Sequence, residues 1–596
     1  MYGIGSVSGG VRRCTRPGWS QPRRYWQLAQ VFLAVIAAVP SIAAAQGVGV
    51  VDFDANVRIE QIRVEIKNPS SDQAVNGRVT DAVRRTINLF PGDQFSRSRL
   101  DFALVAVRRQ AMVAKTDYAV DPGATGGVVV RIAITLAGAG TARKPGGMLA
   151  TQSADDFPVL YDSEGTFVKL RVEALSMYYG NNNAWYGRPD VFLQGNPLVS
   201  GKPAGAGYSN WAEGFVHTGI YGITPLSNSL YVYGGFSSIQ SGSAGQELFT
   251  DMPRSHFGVE DAFAGIVGGQ TSETGDRLIF NASAGRQRFT LGDGFLIMNT
   301  AQNGEVRAAL QSNPRWSADF LGLAQLRYNN TKAEVFYLAP DELPVVDSET
   351  KLFGVNVETR LGSTLDLAGS YLHVPESKFS YFTTSQTFSR QGLSVWDARF
   401  RWQPNPAGQS GLFWAGEAAI QTNSNFPMFA TGFFSELGYS FAELPWQPTA
   451  SYRYAQFSGD DPNTARFERW DPLYSGGTGE QWVQGLNHFK LFQDSNLVAH
   501  RFQLRLRPSA QVELVPQVWL FRADSLTNLG GNPGLSFLGS QALGSEVNLT
   551  AKWFISRNLM VQGHVAATFP GQAVVQALGQ RPAPWLSTMA FLRVAY

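Results

Sequence analysis

From about Phe167 to the C-terminus the chain repeats one pattern, segments of roughly ten residues in which apolar and polar side chains alternate, separated by turn residues. In "VKLRVEA" Val168, Leu170 and Val172 share one face, and Lys169, Arg171 and Glu173 share the other. In "VWDARFRW" Trp396, Ala398, Phe400 and Trp402 oppose Asp397, Arg399 and Arg401. In "HRFQLRLR" Phe502, Leu504 and Leu506 oppose Arg501, Gln503, Arg505 and Arg507. A period of two is that of a strand with unlike faces. About 18 such segments follow one another, the first near 167–179 and the last near 586–596.

The connections alternate in length. Short ones stand at "SNS" (227–229), "NN" (329–330), "GS" (362–363), "PSAQ" (508–511) and "SRN" (556–558). Long ones fall between them, at about 180–211, 291–315, 376–391, 460–497, 524–543 and 570–585. Membrane barrels of bacteria have short turns on the periplasmic side and long loops outside. An even strand count then puts both ends of the barrel on the short-turn side. Closure by about 18 strands leaves a wide lumen, so the expected arrangement is polar inward and apolar toward lipid. The chain closes on "LSTMAFLRVAY", where a terminal aromatic on an alternating strand resembles the insertion signal of outer-membrane barrels.

Residues 47–140 follow different rules. "VRIEQIRVEIK" (57–67) alternates as a strand, and "DQAVNGRVTDAVRRTINLF" has helical spacing. "GDQFSRSRLDFALVAVRRQ" gives a turn, a Ser96 cap and a second helix; "AMVAKTDYAV" and "GVVVRIAITLAG" complete the unit as strands. This β-α-α-β-β order resembles a POTRA domain, a periplasmic module that precedes several outer-membrane barrels. A small unrelated α+β module reads the same way. The expected organisation is a signal peptide at 1–45, the POTRA-like domain at 47–140, a Gly-rich linker at 141–165 and the barrel at 166–596. The fold class is therefore all-β, a transmembrane antiparallel barrel of about 18 strands behind a small α+β periplasmic domain.

Composition narrows this further. Arg12, Arg13, Arg16, Arg23 and Arg24 precede an apolar run from about Leu28 to Val39, then "SIAAAQ", which reads as a secretory signal with cleavage near Ala45. The single cysteine, Cys14, leaves with it, so disulfides and thiol chemistry are excluded from the mature chain. Removing five of 49 basic residues leaves 44 against 47 acidic ones, a slightly acidic chain unlike a nucleic-acid binder. No apolar run reaches the roughly 18 residues that a membrane helix needs. The six histidines lack metal spacing, no G-x-S-x-G elbow occurs, and the glycines near Lys202 miss the phosphate-loop spacing. No enzyme constellation and no cofactor motif remain.

Strand parity assigns the pore wall. Its basic positions are Lys169, Arg171, Arg327, Lys332, Arg360, Arg399, Arg401, Arg453, Arg501, Arg505, Arg507, Lys552 and Arg593. Its acidic positions are Glu173, Asp319, Glu334, Glu358, Asp397, Glu417, Glu513 and Glu546. Thirteen against eight makes the lumen net positive, and a confined positive field concentrates anions. The competing reading is that these cations pair with acids on neighbouring strands and brace the wall; Arg501, Arg505 and Arg507 on one strand are the hardest to neutralise in this way. Arg286 falls on the lipid parity of its strand, which calls for a bulge or a snorkelling side chain.

"YRYAQFSGDDPNTARFERWDPLYSGG" followed by "DSNLVAHRFQLRLRPSAQVELVPQVWLFRAD" resembles the alginate-export porin family, as do "SAGRQRFTLGDGFLI" and "LGSEVNLTAKWFISRNLMVQGHVAATFPG". The resemblance spans about residues 165–596 and implies an outer-membrane barrel that passes an anionic exopolysaccharide through an arginine-lined constriction. The POTRA-like domain departs from the simplest members. It suggests a periplasmic scaffold or secretion-complex partner, engaged by strand addition. Two alternatives stay open, an anion-preferring uptake porin and a POTRA-barrel protein transporter; the chain lacks the Arg-Gly dipeptide of the latter. Within the loop, Asp460, Asp461, Arg469 and Asp471 are expected to form a gate over the pore mouth, with calcium at the three aspartates as a further reading.

Overall fold

The computed structural model describes residues 57–138, 145–184, 208–245, 253–406, 408–476, 485–487, 492–530 and 535–596. The expected signal peptide and the first part of the expected linker lie outside them.

The N-terminal module has the expected element order. Strand Ile59–Ile66 leads through helices Gln73–Thr86 and Arg97–Arg108 to strands Val113–Pro122 and Val128–Leu136. The first and last strands pair in parallel and the last two antiparallel, so Val128–Leu136 is central. Asp72 and Ser96 cap the helices by accepting from the backbone N–H of Ala74 and Arg99. Val79, Val83, Leu100 and Leu104 pack on Val130, Ile132 and Ile134 in a core of the module's own. The stretch read as linker carries structure: a helical turn at Met148–Thr151 and a strand, Val159–Ser163, that pairs with the start of the barrel.

Eighteen antiparallel strands, from Thr166–Asn182 to Trp585–Ala595, close when the last pairs with the first. The alternation predicts nearly all of their positions. Closure satisfies every edge, which is what lets a sheet stand in lipid. Large apolar side chains cover the outside, among them Phe280, Val335, Trp396, Trp414, Phe502 and Val565.

Inside, the expectation of a uniformly polar wall is corrected. The inward row of strand Leu497–Ser509 begins with buried Leu497 and Ala499 and becomes charged only at Arg501, Arg505 and Arg507. The lumen is thus divided along its axis. Toward the short turns it is charged; toward the long loops it is an apolar core. That core exists because two long loops fold inward. Phe295, from the loop after strand Arg277–Arg288, packs on Phe434 and stacks on Phe457, and Trp470, from the loop after strand Thr449–Phe457, completes the cluster. Burying aromatics against the wall offsets the cost of ordering such long loops.

Candidate functional site

All thirteen cations expected to line the pore are ion-paired. Glu436 accepts from Arg453 Nε at 2.8 Å and from Arg501 Nη2 at 2.6 Å. Glu513 accepts from Arg505 at 2.6 Å, with Lys552 at 3.3 Å and Arg507 at 3.5 Å. Glu173 holds Arg171 at 2.8 Å and Arg593 at 2.5 Å. The three arginines of one strand are therefore compensated locally, which the sequence reading judged hardest. Compensation is incomplete in charge, because each carboxylate serves two or three cations. Such sharing keeps the cations ordered and desolvated at less cost than leaving them unpaired, yet leaves a positive excess.

The wall opposite has the reverse ratio. Arg399 lies among Asp397 at 2.6 Å, Glu358 at 3.4 Å and Glu417 at 3.9 Å, and Lys332 sits between Glu334 and Glu358. Arg360 pairs one-to-one with Asp366 through two hydrogen bonds. The lumen is thus polarised rather than uniformly basic. Asp319 is a correction: a register shift between Ala318 and Leu321 turns its side chain outward, 69% exposed, where it meets Arg286 at 3.0 Å. The same irregularity accounts for Arg286 standing off its strand's parity.

A cavity of about 380 Å³ opens on the positive side. Among the described residues its lining brings together nine basic side chains, including Arg58, Arg401, Arg501 and Arg505, and six carboxylates, an excess of three positive charges. Met177, Phe215, Met298, Phe434 and Phe591 give it apolar patches. The inward loop roofs it with Asp293 and Gln311–Trp316, and the N-terminal module floors it with Val57–Glu60 and Thr125–Val128.

Asp293 joins roof, wall and floor. It accepts from Arg58 Nε of the module at 3.1 Å and from Arg401 Nη2 of the wall at 3.2 Å. Burial alone would raise its pKa, but the Arg58 and Arg401 guanidiniums outweigh burial and hold it well below the usual carboxylate range. The turn carrying it, "LGDG", requires glycine at Gly292, where φ is +57° and a Cβ would stand 2.7 Å from Arg399 Cδ. Gln94 of the module donates to the Gly292 carbonyl.

Sequence reasoning missed the residues that hold the loops in place. Glu213 accepts from the backbone N–H of Gln311 and Ser312, Glu260 from those of Trp316 and Ser317, and Glu546 from those of Leu486 and Asn487. All three carboxylates are buried. Glu546 was assigned to the pore wall by parity, but its charge serves a loop instead of the solvent. Glu436, absent from the expected acidic positions, stands on the inward row of strand Ala430–Ser440, whose Phe433, Leu437 and Tyr439 face outward.

The predicted gate residues separate. Asp471 is buried and takes two hydrogen bonds from Arg390, at 2.7 and 2.9 Å, and one from the Tyr381 hydroxyl at 2.5 Å. Asp460 accepts from the Glu468 backbone, and Asp461 caps a solvent-exposed turn through Asn463. Arg469 is buried, and burial lowers its pKa to about 10. Asp471 is committed to Arg390 and Tyr381, so the three aspartates do not converge on one cage; among the described residues no group of three His, Cys, Asp or Glu has metal-holding geometry.

Among known proteins, the model of the family described as Alginate export matches residues 238–582. Comparison with curated proteins finds no match. Among solved structures, Pseudomonas aeruginosa OprD is 9% identical, covers 72% of this chain and 95% of its own, and superposes with a TM-score of 0.44. Pseudomonas aeruginosa OccK5 (OpdH) is 10% identical over 72% of this chain and 98% of its own, with a TM-score of 0.42. Pseudomonas putida OprB, in its high-pH structure, is 7% identical over 72% and 94%, with a TM-score of 0.37.

Proposed function

Because the chain belongs to the alginate export family and is an outer-membrane transport channel rather than an enzyme, we propose that it exports an anionic exopolysaccharide, alginate-like in carrying a carboxylate on its sugars. The observation that carries this reading is the sharing of Glu436, Glu513, Glu173 and Asp293 among two or three cations each. A carboxylate passing through exchanges with one already present, so a cation is never stripped bare and the chain is never held by an unopposed charge. Weak, repeated sites of this kind favour conduction over tight binding. The apolar patches between them suit the C–H faces of sugar rings. The short-turn end would face the periplasm, with the N-terminal module at the entrance and the signal peptide removed.

The test is twofold. Reversal potentials across a salt gradient in planar bilayers should show anion preference, and disruption of the gene should abolish an acidic polysaccharide in the culture medium. Cation preference, or polysaccharide secretion that persists while uptake of a small anion fails, would overturn the reading.

A further inference from the structure

At the contact between the N-terminal module and the short-turn rim of the barrel Arg109 of the module donates to the Tyr231 hydroxyl, but the buried pairs at Asp93 and Asp101 run the other way, the module offering acceptors and the barrel cations. Asp93, 3% exposed, takes the guanidinium of Arg327, which also lies 4.1 Å over the Phe90 ring. Asp101, 7% exposed, takes Lys169 Nζ at 2.6 Å. Farther in, Arg401 donates to Thr125 Oγ1 at 3.2 Å and Arg507 donates to the Gly123 carbonyl, both on the hairpin that floors the cavity. Apolar contact of Phe102 and Val105 with Phe167, Ile223 and Tyr233 closes the seam beside these pairs. From rim to chamber, then, a row of cations is met by a row of oxygen acceptors belonging to the same chain.

We propose that the module is a self-ligand of the pore: Asp93 and Asp101 occupy cationic subsites, Arg327 and Lys169, at which the carboxylates of a polyuronate enter. The proposal rests on the polyanion export reading above. Neither pair separates readily alone, because each would leave a buried charge uncompensated. A polyuronate removes that obstacle by bringing a replacement carboxylate to each cation while the module's own acids pass to water. Opening is thereby coupled to the presence of cargo, and the barrel stays shut to small solutes when none is present. A neutral glucan brings no such replacement and leaves the module seated.

The test uses the full-length protein in planar bilayers. The unaltered channel should show low basal conductance that rises when a short oligogalacturonate is added on the module side and not when a dextran oligomer is added. D93N/D101N should conduct several-fold more without any sugar. The charge swaps D93R/R327D and D101K/K169D should return it toward the closed level, which separates loss of a specific pair from general misfolding. Unchanged basal conductance in D93N/D101N that still shows native heat-modifiable mobility would overturn the self-ligand while leaving export intact. Opening by dextran equal to that by oligogalacturonate would overturn it as well. A cation-selective open state in D93N/D101N would instead remove the export reading and leave the module as a plug.

Discussion

Arg58, two residues into the described chain, donates to Asp293, 235 residues later, and Asp293 in turn holds Arg401 of the barrel wall. One carboxylate therefore ties the N-terminal module, an inward-folded loop and a strand.

That relationship sets the first prediction. Arg58→Ala and Asp293→Asn should each loosen the module, with a cost of about 1–3 kcal/mol for losing a charge-assisted hydrogen bond. The two losses should fall short of additive, since both remove the Arg58–Asp293 contact and only Asp293→Asn also touches the Arg401 contact. Limited proteolysis of the module in micelles, read for the single and double variants, gives the coupling. Additive effects would show that the two side chains act independently.

The second concerns the chamber. R501Q/R505Q removes two of the excess positive charges around the cavity, while Glu436 keeps Arg453 and Glu513 keeps Lys552. Both carboxylates stay paired, so the barrel should remain folded and anion selectivity should fall toward neutrality. Reversal potentials measure this directly.

A third follows from Glu546, whose two oxygens accept from the N–H groups of Leu486 and Asn487. Glu546→Ala strands both donors at a cost of about 1–3 kcal/mol each and leaves the loop tip unanchored. Single-channel traces should become larger and noisier than those of the parent. Glu546→Gln, which keeps one acceptor oxygen, should fall between.

Acid should have a late effect on the long loops. Burial would raise the pKa of Asp341, but Arg286, Arg307 and Arg315 around it outweigh burial and lower it. A carboxylate depressed in the folded state contributes stability above its unfolded value, near about 4, and loses it as pH falls through the lower folded value. Conductance should therefore hold steady from pH 7 to about pH 5 and change only in stronger acid. A transition near pH 6 would point to a histidine instead.

The strands were legible because lipid on one side and charge on the other impose an alternation that survives in every segment. Arg501, Arg505 and Arg507 could be placed inward from that rule alone. It failed where its premise failed. Asp319 lies beside a bulge, where the register of strand and partner shifts. The loops were illegible for a different reason: nothing local distinguishes Phe295 or Trp470, which fold into the lumen, from aromatics that face solvent. Pairings such as Asp93 with Arg327, 234 residues apart, depend on how two units meet, and neither unit's pattern encodes it. The gate expected of Asp460, Asp461 and Asp471 dissolved because spacing in sequence says nothing of which acid finds an arginine.

Glu213, Glu260 and Glu546 hold their loops through main-chain N–H groups, which every residue except proline supplies. Ser317 and Asn487 add side-chain bonds of their own, to Asp261 and Thr568, whereas at Gln311 and Trp316 the clasp takes only the main chain. At such positions a lineage could change the side chain, one substitution at a time, while inheriting the same anchorage; proline is the one replacement that the clasp itself forbids.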